Sequence, residues 1–147
     1  MEFKELMSIL AAAVSPVILI SGVGLLILSM TNRFGRVVDR SRLLADALRH
    51  APPQERSRLK RQLEILLRRA RLLRVAVSFA TMSVLASAIL VIALFITAFL
   101  QMKIVLISAV LFIACLASLI ISLLAFLQDL NLSLGALKLE IESTNSV

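Results

Sequence analysis

Three uninterrupted stretches without a formally charged side chain, residues 6–30, 75–100 and 104–127, constrain this chain more than any other feature. A helix needs about 20 apolar residues to cross a bilayer, so each stretch is long enough, with a few residues to spare for tilt. Helix is the conformation expected there, because lipid offers backbone N–H and C=O groups no partner. Composition points the same way. Hydrophobic residues make up 60% of the 147 and charged residues 17%, against about 25% charged in soluble domains. A core this small cannot enclose so much apolar surface, and the surplus is expected to face lipid. The first stretch exceeds the roughly 7–15 apolar residues of a signal-peptide h-region, and Glu2 and Glu5 flank Lys4 ahead of it. It is expected to remain as a span.

Charge placement sets the expected orientation. Thirteen of the sixteen Lys and Arg lie between Arg33 and Arg74, with four acids (Asp39, Asp46, Glu55, Glu64), leaving a formal +9 in that segment. Short loops this basic are retained in the cytoplasm. The N-terminus and a short turn at 101–103 are then expected outside, and the C-terminal tail inside. Little chain is left on the exterior to form a receptor for a large ligand. The expected location is a bacterial inner (plasma) membrane.

Helical periodicity continues past the apolar stretches. Phe34, Val37, Ser41, Leu44 and Leu48 step by 3 or 4; so do Leu59, Leu63, Leu66, Ala70 and Leu73, and in the tail Leu127, Leu130, Leu134, Leu137 and Ile141. This is the seam spacing of helices packed in a bundle. Ala51-Pro52-Pro53-Gln54 interrupts the first two runs, since Pro lacks an amide proton and constrains the residue before it. The expected fold is therefore all-α and integral to the membrane: three transmembrane helices extended into a cytoplasmic helical or coiled-coil bundle, homo-oligomeric. The divisions are 1–30 (N-terminal segment and first span), 31–74 (basic hairpin, turn at 51–54), 75–127 (second and third spans) and 128–147 (amphipathic tail). Arg42–Asp46, Asp46–His50 and Glu64–Arg68 are i,i+4 neighbours expected to support solvent faces weakly.

Small and polar residues form stripes within the spans. Ser8, Ser15, Gly22 and Ser29 recur every seven residues, with Asn32 one short turn on and Pro16, Ser21 and Gly24 nearby. Ser108, Cys115, Ser122 and Asp129 also recur every seven, with Ser118 and Ala125 interleaved, and the second span carries Ala76, Ala80, Ser83 and Ser87. Small residues let helix backbones approach where lipid supplies no hydrophobic drive, and interhelical hydrogen bonds add about 0.6 kcal/mol each. Each stripe is thus a candidate helix interface. The alternative is that one stripe, repeated around a symmetric ring, lines a path for ions. The first stripe is the better candidate for that.

Asp129 falls at the boundary of the third span, at a depth matching Arg74 and Arg33. It is expected to form an ion pair there, with an acidic ring at a pore mouth as the alternative. Arg33, Arg36, Arg71 and Arg74 are expected to meet anionic headgroups, at about 1 kcal/mol each. With few aromatics to stack bases, the segment is not expected to bind nucleic acid. Cys115, the one cysteine, is expected to behave as a small buried hydrophobe, and His50 to be exposed beside the turn. No carboxylate pair, His/Cys cluster, phosphate-cradling glycine loop or activated nucleophile is present, so neither enzyme activity nor a cofactor or metal is expected.

The run Ser15-Pro16-Val17-Ile18-Leu19-Ile20-Ser21-Gly22-Val23-Gly24-Leu25-Leu26, followed by Thr31-Asn32-Arg33 and Arg36-Val37-Val38-Asp39-Arg40, resembles a bacterial membrane-protein family known as domain of unknown function 2721. The resemblance extends from about residue 8 to 131. It implies a small multi-span inner-membrane protein and brings no activity with it. From the residues, the expected role is channel-like or transport-like for small ions. The rival is a membrane-anchored scaffold or regulator whose basic stalk binds anionic lipid or a cytoplasmic protein.

Overall fold

The computed structural model describes residues 3–100 and 105–144, so the expected turn at 101–103 lies outside the described residues. Three helices follow one another: α1 (Phe3–His50), α2 (Pro53–Leu100) and α3 (Val105–Thr144). At ~1.5 Å per residue, the 48 residues of α1 rise about 72 Å. Each helix is long and apolar enough to cross a membrane, and only 17–22% of its most apolar window is buried within the chain. The remaining apolar surface belongs against lipid. The protein is a multi-pass helical membrane protein.

The break between α1 and α2 is shorter than the sequence suggests. Only Ala51 and Pro52 lie outside helix, whereas 51–54 reads as a turn. Proline is tolerated at the first helical position, where an amide proton would have no partner anyway, and Pro53 occupies that position. The Glu55 amide donates to the Pro52 carbonyl at 3.1 Å, and Arg56 Nε donates to the Ala51 carbonyl at 3.0 Å. Glu55 in the first turn of α2 and Arg49 and His50 in the last turn of α1 have the signs that complement the helix dipoles. His50 is exposed, its Nδ1 3.1 Å from the Asp46 carbonyl. Among the described residues, Arg42–Asp46 and Glu64–Arg68 form no ion pair; both ion pairs end on Asp129.

The buried residues trace one seam on each helix. On α1 these are Pro16, Val23, Met30 and Val37, seven apart; on α2, Leu66, Leu73, Ala76, Ala80, Ser83, Ser87 and Leu90; on α3, Cys115, Ser118, Ser122, Ala125 and Asp129. The runs expected from 34 to 48 and from 59 to 73 face inward, every described member being buried or half-buried. The tail run does so only in part, with Leu130 half-buried. Leu127 and Leu134 are 55% and 66% exposed, because the buried line of α3 runs through its small and polar residues and these two leucines lie off it. Leu137 and Ile141 have side chains outside the described residues.

The chain divides into two compact units, Met1–Leu28 with Ser78–Ser122, and Ser29–Val77 with Leu123–Val147. The first contains the serine and cysteine contacts of the spans. The second has a core of Val37, Leu66 and Leu73, with Phe34, Leu44, Ala70 and Phe126 packed against it.

Candidate functional site

In the first unit, α2 meets α3 through hydroxyl, thiol and backbone groups. Ser83 Oγ donates to the Cys115 carbonyl at 3.0 Å while Cys115 Sγ donates to the Ser83 carbonyl at 3.3 Å, a reciprocal pair. One helical turn away, Ser118 Oγ donates to the Phe79 carbonyl at 2.8 Å. Ser87 Oγ reaches back to α1 and donates to the Pro16 carbonyl at 3.4 Å. Only small side chains bring backbones this close. Cys115, Ser118 and Ser122 of the second stripe are buried here, and Ser108 is half-buried. Within the chain, this stripe is a helix interface.

The first stripe is placed differently. Ser15, Gly22, Ser29 and Asn32 are all exposed, and the side chain of Ser8 lies outside the described residues. A Cβ added at Gly22 would meet nothing within 4 Å. The face that packs inside the chain is the neighbouring set Pro16, Val23 and Met30, one residue on and so rotated by about 100°. Within a single chain, the first stripe is therefore not an interface.

The second unit holds a buried charge. Asp129 on α3 is fully buried. Arg69 Nε on α2 donates to its Oδ1 at 3.1 Å. Arg33 Nη2 on α1 lies 3.4 Å from Oδ2, an ion pair that lacks hydrogen-bond geometry. Arg33 also lies over the Phe126 ring, 5.4 Å from its centroid, a cation–π contact one turn before Asp129. Three helices thus converge on one carboxylate, whose two cations keep 25% and 16% of their side chains exposed.

This corrects the expected partner. Arg74 is exposed and makes no ion pair with Asp129. The reason is register. Arg69 stands on the seam 66/69/73 and Arg33 on 30/33/37, whereas Arg74 lies one residue off the α2 seam. Depth in the membrane admitted Arg74; rotation about the helix axis excludes it. Arg33 likewise turns inward to Asp129 instead of outward to headgroups, while Arg36, Arg71 and Arg74 are exposed. Arg69 is the ion-pair partner that depth matching missed, and the 3/4 spacing around Leu66 and Leu73 is the signal for it.

The model of a family described as "Protein of unknown function (DUF2721)" matches residues 13–139, and the chain belongs to that family. No curated protein matches. No solved structure matches either.

Proposed function

We propose that this member of the family is a homo-oligomeric inner-membrane protein with a channel-like role for small ions, its copies meeting around the small polar face of α1. What carries the reading is the exposure of Ser15, Gly22, Ser29 and Asn32 on a helix whose inward contacts use another face. Hydroxyls and a glycine along an otherwise apolar span gain little from lipid. They gain more against a second copy or a column of water. Three spans alone enclose no wide path, so the path would lie between copies. The orientation that goes with this reading puts the basic hairpin in the cytoplasm and the N-terminus outside. The protein acts without catalysis.

Proteoliposomes loaded with Na⁺, K⁺ or Cl⁻ test the reading. Flux above empty vesicles is expected, with loss of both flux and oligomer in Gly22→Leu and unchanged helicity. Intact oligomers, verified by native mass spectrometry, that pass none of the three ions would remove the ion path.

A second reading is a membrane-anchored scaffold whose basic segment binds anionic lipid or a cytoplasmic protein. Its support is the exposure of Arg36, Arg71 and Arg74, none of which pairs with a carboxylate among the described residues. Under it, Gly22→Leu changes assembly alone, and no ion flux accompanies the wild-type oligomer.

A further inference from the structure

The second unit contains an open cleft of about 390 Å³, lined by Arg33, Arg36, Val37 and Arg40 of α1, Leu66 and Arg69 of α2, and Ser133 of α3. Four arginines therefore line one small space. The carboxylate that answers them is Asp129, which is fully buried and engaged by Arg33 and Arg69. Arg36 uses its Nε on the Asn32 carbonyl at 3.4 Å, which leaves its terminal nitrogens uncommitted. Arg36 and Arg40 pair with no carboxylate among the described residues. Four like charges gathered around one countercharge repel one another unless an anion joins them.

We propose that this cleft is a binding site for the phosphate group of a phosphate monoester. A guanidinium presents a planar fork of N–H donors that matches two phosphate oxygens at once. Several such forks from two helices, with the Ser133 hydroxyl from a third, surround a tetrahedral anion better than a flat basic surface does. Asp129 is the positioning residue. It holds Arg33 and Arg69 from below, each through a single nitrogen, so their other donors remain for the ligand. Val37 and Leu66 give the cleft an apolar wall for the ester carbon. Its volume is at the small end of the ~300–1,000 Å³ usual for ligand sites, which suits a headgroup-sized ligand.

The phosphate has two possible sources, an acidic lipid headgroup and a soluble ester. On its own helix, Arg33 is only three residues beyond Met30, about 4.5 Å, and Arg69 precedes Val75 by six residues, about 9 Å. Arg33 thus falls within the polar layer of a bilayer, about 5–7 Å deep on each side, and Arg69 just beyond it, near enough for its long side chain to reach back. The inference stands apart from the ion path, since its readout is binding and not flux.

The test uses the full chain in nanodiscs of phosphatidylcholine with a few per cent phosphatidic acid, and separately in detergent with glycerol phosphate. Saturable binding of at least one probe is expected. Arg36→Gln with Arg40→Gln should weaken it about thirtyfold. Both side chains are exposed and outside the Asp129 pairs, so the fold should survive, as circular dichroism would check. Arg71→Gln with Arg74→Gln removes the same charge outside the cleft and should weaken saturable binding much less than the cleft pair does, by less than about twofold for glycerol phosphate. Binding of phosphatidic acid without glycerol phosphate identifies a lipid site; binding of glycerol phosphate identifies a soluble one; either supports the cleft. Equal weakening by the two double variants would reduce the effect to general surface charge and overturn the proposal. So would failure of both probes to bind saturably.

Discussion

The two units solve the same packing problem with different chemistry. In the first, Ser83, Ser87, Cys115 and Ser118 make the contacts, each hydrogen-bonded to a backbone carbonyl of another helix. In the second, Val37, Leu66 and Leu73 form an apolar core beside a carboxylate held by two arginines. The difference follows from the medium each sequence is suited to. Where the flanking faces are wholly apolar and meet lipid, burying another leucine gains nothing over leaving it in lipid, so close approach of small residues decides. Where the flanking faces are arginine-rich and meet water, removing leucine from water stabilises by about 2 kcal/mol. The ion cluster adds direction to that contact, because a carboxylate accepts from only a few positions.

The contrast can be broken most directly at the buried carboxylate. Arg69→Met should cost about 3 kcal/mol in detergent unfolding, because Asp129 has no exposed surface and would be left with the single long contact to Arg33. Arg74→Gln should cost nothing measurable, and a cost equal to that of Arg69→Met would restore Arg74 as the partner. Next in size is the apolar core. Leu73→Ala, at a fully buried position, should lose about 2–3 kcal/mol, measured as a shift in thermal unfolding. Removing one of the hydroxyl contacts should do less: Ser83→Ala is expected to lose about 0.6 kcal/mol, and a loss as large as that of Leu73→Ala would erase the distinction between the units. Ser83→Leu, in contrast, should separate α2 from α3 by overpacking. Smallest of all is Leu134→Ala, expected within about 0.5 kcal/mol of wild type. A large cost there would return the tail leucines to the seam.

Much of the architecture could be read in advance, and the reason is the severity of the constraint. An uncharged run above twenty residues has one good conformation in lipid, and two consecutive prolines admit one place for the hairpin to turn. The apolar runs around Val37 and Leu66 were legible because water punishes exposed leucine on a basic helix. The tail run was legible only in part: Leu130 is half-buried as its spacing predicts, while its neighbours in the run are not. Leu127 and Leu134 keep the spacing of a seam while facing away from it.

The site was legible only in part. Asp129 and Arg33 stand out from sequence as charges at the ends of apolar runs, and their pairing could be anticipated from depth. Arg69 could not be chosen over Arg74 by that argument, because both are near enough to the boundary for an arginine side chain to reach. The same ambiguity separates the two sevenfold sets on α1, Ser15/Gly22/Ser29 and Pro16/Val23/Met30.

By itself the sequence determined the number of helices, their lengths, the position of the hairpin and the clustering of charge. Each of these is a property of one segment in its medium. Tertiary structure decided which face of each helix turns inward, leaving the α1 serines outside and bringing Arg69 instead of Arg74 to Asp129. Positions one residue apart share a periodicity and differ by about 100° of rotation. That rotation is set by the shape and hydrogen-bonding groups of the facing helices.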